Sequence, residues 1–160
     1  KTVLIRSGVL ETYMYDLDWA CCQGGRSTGN SRRQSFQFRP IPRMSNTYLA
    51  AGETVPEEII AQTNSGLLVK RMGGGQVNPT TGDFVFDIAE GYLIEQGQVT
   101  DPVRGATLSG NGPKVLLSVD LVGTDLGFGI GTCGKDGQGV PVSDAQPTIR
   151  IPELVVGGLL

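Results

Sequence analysis

Short apolar segments separated by turn-forming residues recur along the chain, and this pattern predicts many strands and few helices. Residues 2–5 and 9–15 are rich in β-branched, aliphatic and aromatic side chains, and Ser7 and Gly8 lie between them. The sequence therefore predicts a hairpin at the start of the chain. By the same criteria, further strands are predicted at 67–71, 84–88, 92–95, 148–151 and 154–156.

Three local features refine this pattern. Gln96 and Gly97 predict a two-residue hairpin turn after the strand at 92–95. Pro152 interrupts the last pair of strands because it has no backbone N–H to donate to a ladder. The apolar run 115–122 satisfies neither the helical nor the strand period cleanly, and we favour a strand there.

One helix has clear sequence determinants. Thr54 and Glu57 have the spacing of a capping box, in which each side chain bonds the other residue's backbone N–H. Pro56 suits the first helical turn, and Asn64 begins a cluster of residues that end helices. A helix is therefore predicted over residues 54–65.

Composition supports a β-rich fold. The 160 residues include 24 glycines and nine prolines, which favour turns between short strands over long helices. The hydrophobic share of 39% is enough for a core without disulfides, so we predict one domain over residues 1–160. The chain begins at Lys1 next to a predicted strand and ends at Leu159 and Leu160, which we interpret as a piece of a longer polypeptide.

Charge and cysteine content limit the possible environments. A formal net charge of −3 argues against nucleic acid or an anionic membrane as the partner of the whole molecule. No apolar stretch has the length of a membrane span, and the first residues do not form a signal peptide. Three unevenly spaced cysteines indicate reduced thiols. We predict a cytoplasmic protein.

A basic segment lies at 23–44. It contains five arginines and no acidic residue, and Phe36 and Phe38 predict a short strand inside it. Aromatic and arginine side chains together can bind a single-stranded nucleic acid, but pairing with carboxylates of a partner domain or subunit is the favoured interpretation. The alternative function for this chain is thus a noncatalytic interaction module that binds nucleic acid or supports a partner.

Cys133 is the main candidate for chemistry. It lies in a glycine-dense stretch that predicts a loop, and the nearby positive charge of Lys135 would favour its thiolate. A thiolate can bind zinc or act as a nucleophile, although a buried, inert thiol is the commoner role of a free cysteine. The chain has no histidine, so it lacks the base of a papain-like cysteine nucleophile.

The other two cysteines are adjacent. Cys21 and Cys22 would point to opposite faces at the end of a strand, so a three-thiolate zinc site with Cys133 is disfavoured. Small hydrophobic side chains at a strand end are the expected role for this pair.

A glycine triplet interrupts the predicted strand that starts at residue 67. Glycines within a strand mark either a β-bulge or close approach by another backbone. Gly73, Gly74 and Gly75 are therefore candidates for an edge that binds an extended peptide, with a bulge as the equal alternative.

Several ordered blocks of the sequence resemble the TldD/PmbA family. They are RMSNTY from Arg43, PEEII from Pro56, GGGQV from Gly73, TGDF from Thr81, AEGYLIE from Ala89, GATL from Gly105, GNG from Gly110, CGKDGQ from Cys133 and QPT from Gln146. The resemblance spans residues 8–158. The glycine triplet and the cysteine-bearing block are similar to the catalytic, TldD-type subunit of the family.

The resemblance implies an intracellular zinc metallopeptidase that acts on unfolded peptides, a family also called modulators of DNA gyrase. It implies a β-rich α+β fold, mostly antiparallel, with a barrel-like sheet and one packed helix. It also implies a partner, either a PmbA/TldE-like subunit or a second copy of the same protein. In such proteins two zinc-binding histidines and a glutamate lie on an upstream His-Glu-x-x-x-His helix, and a downstream cysteine at the position of Cys133 completes the ligand set.

This chain departs from the family pattern because it contains no histidine. It would supply one zinc ligand, Cys133, and a peptide edge at Gly73, Gly74 and Gly75, while the catalytic residues lie elsewhere. We therefore expect zinc in the full-length protein, and neither bound zinc nor activity in this piece alone.

Overall fold

The computed structural model describes residues 1–158. The strands are β1 (Ile5–Arg6), β2 (Val9–Leu10), β3 (Ser31–Arg32), β4 (Ile41–Pro42), β5 (Asn46–Tyr48), β6 (Ser65–Val77), β7 (Asp83–Glu95), β8 (Gln98–Val103), β9 (Thr107–Asn111), β10 (Leu121–Val122), β11 (Gly127–Lys135), β12 (Gln138–Gln146), β13 (Ile149–Arg150) and β14 (Val155–Gly157). The helices are α1 (Leu17–Cys22), α2 (Pro56–Ala61) and α3 (Gly112–Ser118). The terminal leucines, Leu159 and Leu160, lie outside the described residues.

These elements fall into two compact units. The first unit contains Lys1–Ala50 and Gly127–Gln146, and the second contains Ala51–Leu126 with residues 147–158. Each unit is built mainly from antiparallel pairs, and the single parallel pairing between named strands of residues 1–158 joins β12 to β5. The prediction of one domain over residues 1–160 remains a prediction.

The second unit is organised around a long hairpin. β6 pairs with β7, and the sheet order is β14, β9, β7, β6, with β8 also paired to β7. The register shifts between Met72 and Gly75, where two residues of β6 face one residue of β7, and this defines a β-bulge. The strand is therefore continuous through the glycine triplet, and the predicted interruption is a bulge inside it.

The predicted turn at Gln96 and Gly97 is confirmed. Their φ angles are 52° and 77°, the left-handed values that a tight two-residue hairpin needs. Gly97 also lies against α2, because a Cβ there would stand 2.6 Å from the carbonyl oxygen of Ala61. This close approach explains why glycine occupies the second turn position.

The predicted helix at 54–65 is present but shorter, as α2. Its N-cap is Val55, which makes no side-chain capping hydrogen bond, so the predicted capping box of Thr54 and Glu57 does not form. Pro56 does occupy the first turn, and Ile59 packs into the core with 4% exposure. Thr54 instead forms a β-bridge with Gly123, which removes it from the capping position.

The prediction of a strand at 115–122 is wrong over most of its length. Asn111 caps α3 by accepting a hydrogen bond from the Lys114 backbone N–H at 3.4 Å, and Pro113 lies in the first helical turn. The strand β10 begins only at Leu121. An Asn-Gly-Pro start explains the helix, which the apolar period alone does not reveal.

Hydrogen bonds between separated segments stabilise this second unit. The Asp125 carboxylate accepts from both the backbone N–H (2.8 Å) and the hydroxyl (2.7 Å) of Thr148. Burial alone would raise the pKa of Asp125, but these hydrogen bonds outweigh it and hold the pKa below its usual range. The Arg150 guanidinium likewise lowers the pKa of Asp120, mainly through its hydrogen bonds to that carboxylate.

The last two strands do not pair with each other. β13 pairs with β10, and β14 pairs with β9. The predicted strands near Thr148 and Val156 are therefore present, but Pro152 separates strands that belong to different sheets of the unit.

The first unit contains a three-stranded sheet with the order β11, β12, β5. β11 and β12 form a nine-pair hairpin, and Asp136 and Gly137 make its turn with φ angles of 50° and 69°. The predicted N-terminal hairpin is confirmed as β1 and β2, although both strands are shorter than predicted.

Two further predictions in the first unit are wrong. Cys21 and Cys22 lie at the end of α1, not at a strand end, because Asp16 caps this helix by accepting a hydrogen bond from the Trp19 N–H at 2.8 Å. Both thiols are exposed. Phe36 and Phe38 lie in a turn region between β3 and β4, so the predicted strand there does not form.

The predicted fold class, a β-rich and mostly antiparallel α+β protein, is confirmed. Within residues 1–158 the paired strands form open sheets, so the barrel-like arrangement was wrong, and three short helices replace the single predicted one. None of the described helices has the length and apolar character that crossing a membrane requires.

Candidate functional site

Cys133 lies within a strand, near its turn end, and not in a loop. It occupies β11 and pairs across the hairpin with Val140, a core residue that is 2% exposed. The glycines around it mislead a loop prediction, because the turn itself is confined to Asp136 and Gly137. Cys133 is half-buried, so its thiol is neither fully enclosed nor on an unsupported loop.

A buried arginine contacts the backbone of Cys133. Arg43 is 1% exposed, and its Nη2 donates to the carbonyl oxygen of Cys133 and, at 3.1 Å, to that of Gln138. The backbone N–H of Arg43 donates to the Asn30 carbonyl at 2.8 Å, which fixes the start of this side chain. Within residues 1–158, the Nε and Nη1 groups of Arg43 have no hydrogen-bond partner.

Gln138 ties the same end of the hairpin to the preceding loop. It is 5% exposed; its Oε1 accepts from the Gln34 N–H at 3.2 Å and its Nε2 donates to the Arg39 carbonyl at 3.0 Å. Lys135 donates from Nζ to the Pro42 carbonyl at 3.2 Å. The segment from Gln34 to Arg43 therefore fixes the turn end of the hairpin that carries Cys133.

The described residues do not complete a metal site. Among residues 1–158 no three His, Cys, Asp or Glu side chains are grouped closely enough to hold a metal ion. Cys22 lines a groove of about 500 Å³ beside Trp19, Arg39 and Asp136, and Cys133 is not among the groove's lining residues. The chain thus offers zinc one half-buried thiol, a donor type that zinc prefers.

The glycine triplet has unequal surroundings along β6. A Cβ at Gly75 would lie 2.1 Å from Cδ1 of Phe86, whereas a Cβ at Gly74 would meet no atom within 4 Å. At Gly73 the nearest atom, Cβ of Asp87, would be 3.2 Å away. Gly75 is required by packing, while Gly74 borders open space on a strand that has no neighbour on its other edge within residues 1–158.

The arginines of the basic segment mostly make internal contacts. Arg43 is buried, Arg39 forms an ion pair with Asp18, and Arg32 donates to the carbonyls of Met44 and Pro141 at 2.7 and 2.8 Å. Three of the five arginines are thus engaged inside the first unit. No observation in this segment favours nucleic acid binding over these structural contacts.

Sequence reasoning did not assign a role to Arg43 or Gln138. Arg43 was one of five basic residues in a predicted loop, and Gln138 followed the cysteine without a visible role. Both lie inside blocks that carry the family resemblance. That placement was the available signal, but only the tertiary structure shows that the two residues meet at the Cys133 strand.

The fold is that of a β-rich α+β domain that carries one half-buried thiol. The family model described as the PmbA/TldA metallopeptidase C-terminal domain matches residues 1–158. The chain belongs to this family, which confirms the predicted TldD/PmbA resemblance.

Individual relatives agree with this assignment. The chain is 47% identical over 158 residues to a metalloprotease TldD homolog of Haemophilus influenzae, covering 98% of this chain and 33% of that protein. It is 34% identical over 155 residues to a zinc metalloprotease TldD homolog of Saccharolobus solfataricus, covering 97% and 35%. The chain thus spans about one third of the length of these curated relatives.

A solved structure shares the fold. TldE from Thermococcus kodakarensis superposes with a TM-score of 0.78 at 23% identity, covering 97% of this chain and 33% of that chain. At this identity the similarity shows a common fold.

Proposed function

We propose that this chain is the C-terminal domain of a cytoplasmic zinc-dependent peptidase that hydrolyses unfolded peptides. The observation that carries the proposal is the half-buried Cys133 on a strand fixed by Arg43, in a chain 47% identical to a metalloprotease homolog. Its role is to contribute one zinc ligand and one peptide-binding edge.

The residues of the chain fit part of a zinc site. Cys133 would hold the ion through its thiolate, and zinc, when bound, supplies a Lewis acid that activates water at neutral pH. The chain contains no histidine, so the remaining ligands and the general base would come from outside residues 1–160. The family resemblance implies that a His-Glu-x-x-x-His helix supplies them.

Metal removal tests this function directly. We expect the purified full-length protein to hold about one zinc per copy of this domain and to cleave an unfolded peptide. A chelator should abolish cleavage, and added zinc should restore it, because the ion activates the water. This isolated chain should bind zinc far more weakly, because each ligand alone binds the ion weakly. Cleavage that persists in zinc-free, chelator-treated protein would refute a zinc peptidase.

The free edge of β6 would align the substrate. An extended peptide can add to a sheet edge through main-chain hydrogen bonds, and the small residues Gly73 and Gly74 allow close approach. The support for this proposal is that β6 is the outermost strand in the sheet of the second unit and that space is open at Gly74.

Substitution of Gly74 by valine tests the edge. The bulky side chain would block the approaching peptide, so we expect KM to rise about tenfold or more, or turnover to be lost, while zinc content stays unchanged. This loss corresponds to about 1.4 kcal/mol of binding free energy. Initial-rate kinetics with an unfolded peptide measures it, with Val69→Ala in the same strand as a control. Unchanged kinetics would exclude the Gly74 edge as the binding surface.

The peptidase would work as an assembly with a PmbA/TldE-like subunit or with a second copy of itself. The support is the shared fold with TldE from Thermococcus kodakarensis. Light scattering of the full-length protein gives its mass in solution. A monomer that is active without any partner would refute this proposal.

A further inference from the structure

Beyond zinc binding itself, we propose that Arg43 is the positioning residue for Cys133, and through it for the thiol offered to zinc. The inference rests on the proposed function for its catalytic meaning. Its structural basis is independent of that function: the guanidinium bonds the backbone of the residue that carries the thiol.

The contact bridges the two strands of the hairpin at one end. Nη2 of Arg43 donates to the carbonyl of Cys133 on β11 and to the carbonyl of Gln138 on β12, on opposite sides of the turn at Asp136 and Gly137. β11 is an outer strand of its three-stranded sheet, so β12 is its only strand neighbour within residues 1–158. In addition to the strand pairing, the bonds from Arg43 therefore restrict movement of the Cys133 segment away from β12.

The energetics of the contact also indicate a specific role. A guanidinium that is 1% exposed loses nearly all its hydration, and within the described chain neither Nε nor Nη1 regains a hydrogen bond. Burying a cation in this way is costly unless close partners compensate it. The partners present are two carbonyl oxygens, one of which belongs to Cys133, and a zinc-bound thiolate nearby would add a negative charge that favours the cation.

The position of the side chain is itself well defined. The backbone of Arg43 is held by Asn30, and Gln138, which accepts from Arg43, is anchored on both ends of its amide by the loop at Gln34 and Arg39. Arg43 thus transmits the rigidity of the 34–43 segment to the strand that carries the thiol. Substitution of supporting residues of this kind commonly weakens metal affinity by about ten- to a hundredfold.

The test compares three variants of the full-length protein. Arg43→Met removes the charge and both hydrogen bonds and leaves a shorter, unbranched apolar side chain. Arg43→Lys keeps the charge but places the ammonium one bond closer to the backbone than Nη2. Arg39→Met is the matched control, since Arg39 is exposed and its side chain pairs with Asp18, not with the hairpin.

Two measurements distinguish positioning from general stability. The first is the rate at which iodoacetamide alkylates Cys133 in chelator-treated protein, resolved by mass spectrometry. The second is the zinc dissociation constant, together with the thiolate-to-metal charge-transfer absorption after replacement by cobalt. Hydrogen exchange of β5 and of the paired residues of β12, which lie in the same unit as Cys133, reports whether that unit remains folded.

We expect Arg43→Met to alkylate about tenfold faster at Cys133 and to bind zinc about ten- to a hundredfold more weakly, with a reduced cobalt band. Arg43→Lys should fall between this variant and the parent, and Arg39→Met should match the parent. Unchanged alkylation in a folded Arg43→Met protein would overturn the inference. If Arg43→Met does not fold, Arg43→Lys decides: parent-like alkylation and zinc affinity overturn the inference, and faster alkylation supports it.

Failure of the positioning role of Arg43 can be distinguished from failure of the zinc-ligand role of Cys133. If Cys133→Ala retains zinc, the ligand assignment is wrong, but the alkylation rates still decide whether Arg43 positions the thiol. If Cys133→Ala loses zinc while the Arg43 variants behave as the parent, the ligand assignment stands and the positioning role is wrong.

Discussion

Replacement of Cys133 by alanine in the full-length protein is expected to remove bound zinc and to lower peptidase activity by about a thousandfold or more. The Cys133 thiolate on the paired strand β11 is the proposed zinc ligand, and alanine cannot coordinate the ion. Loss of the ion forfeits several kcal/mol of transition-state stabilisation, which corresponds to a rate loss of this size. Elemental analysis for zinc and initial rates on an unfolded peptide measure the two effects.

Cys22→Ala provides the matched control for this experiment. Cys22 is exposed at the end of α1. The control should retain zinc and activity, because it removes a thiol without touching the β11–β12 hairpin. Normal zinc content and activity in the Cys133→Ala protein would show that another residue is the ligand.

Replacement of Gly75 by valine is expected to destabilise the β6–β7 hairpin by about 3 kcal/mol. The new Cβ would lie 2.1 Å from Cδ1 of Phe86 and 2.6 Å from the carbonyl oxygen of Val85. The Phe86 ring can rotate only at the cost of its packing against Phe84, whose ring centroid is 5.8 Å away, and the Val85 backbone is held in the centre of the sheet. Native-state hydrogen exchange of the β7 amides measures this loss.

The neighbouring position gives a sharp comparison. A Cβ at Gly74 would meet no atom within 4 Å, and the position requires no left-handed backbone, so Gly74→Val should change the free energy of opening of the hairpin by less than about 0.5 kcal/mol. The two variants therefore separate packing from peptide binding within one triplet. Equal stability of the Gly74→Val and Gly75→Val proteins would contradict the bulge geometry described for β6.

Local sequence signals worked where one short-range interaction decides the conformation. Gln96 and Gly97 form the predicted tight turn because only residues tolerant of positive φ fit between two strands so closely joined. The helix at α2 was found from Pro56, but its capping box was wrong because Thr54 pairs with Gly123, far away in the sequence. The α3 helix was missed because the apolar period of 115–122 does not reveal the Asn111 cap.

The family assignment was also available from sequence alone, since many ordered blocks carry it and the family model matches residues 1–158. The roles of Cys133 as zinc ligand and of Gly73, Gly74 and Gly75 as peptide edge remain proposals. The structure contributes their surroundings: a thiol on a paired strand, and a bulge in which two of the glycines face other atoms closely and one does not.

The β-rich class, the absence of a histidine and the identity of the candidate thiol follow from the amino-acid sequence, because they depend on residue types and composition. The burial of Arg43 against Cys133 and the contact of Gly75 with Phe86 become visible in the folded chain. These contacts join residues 90 and 11 positions apart. They depend on the register of paired strands and on the path of the chain between them, which are fixed when one face of each sheet is buried in the packed unit.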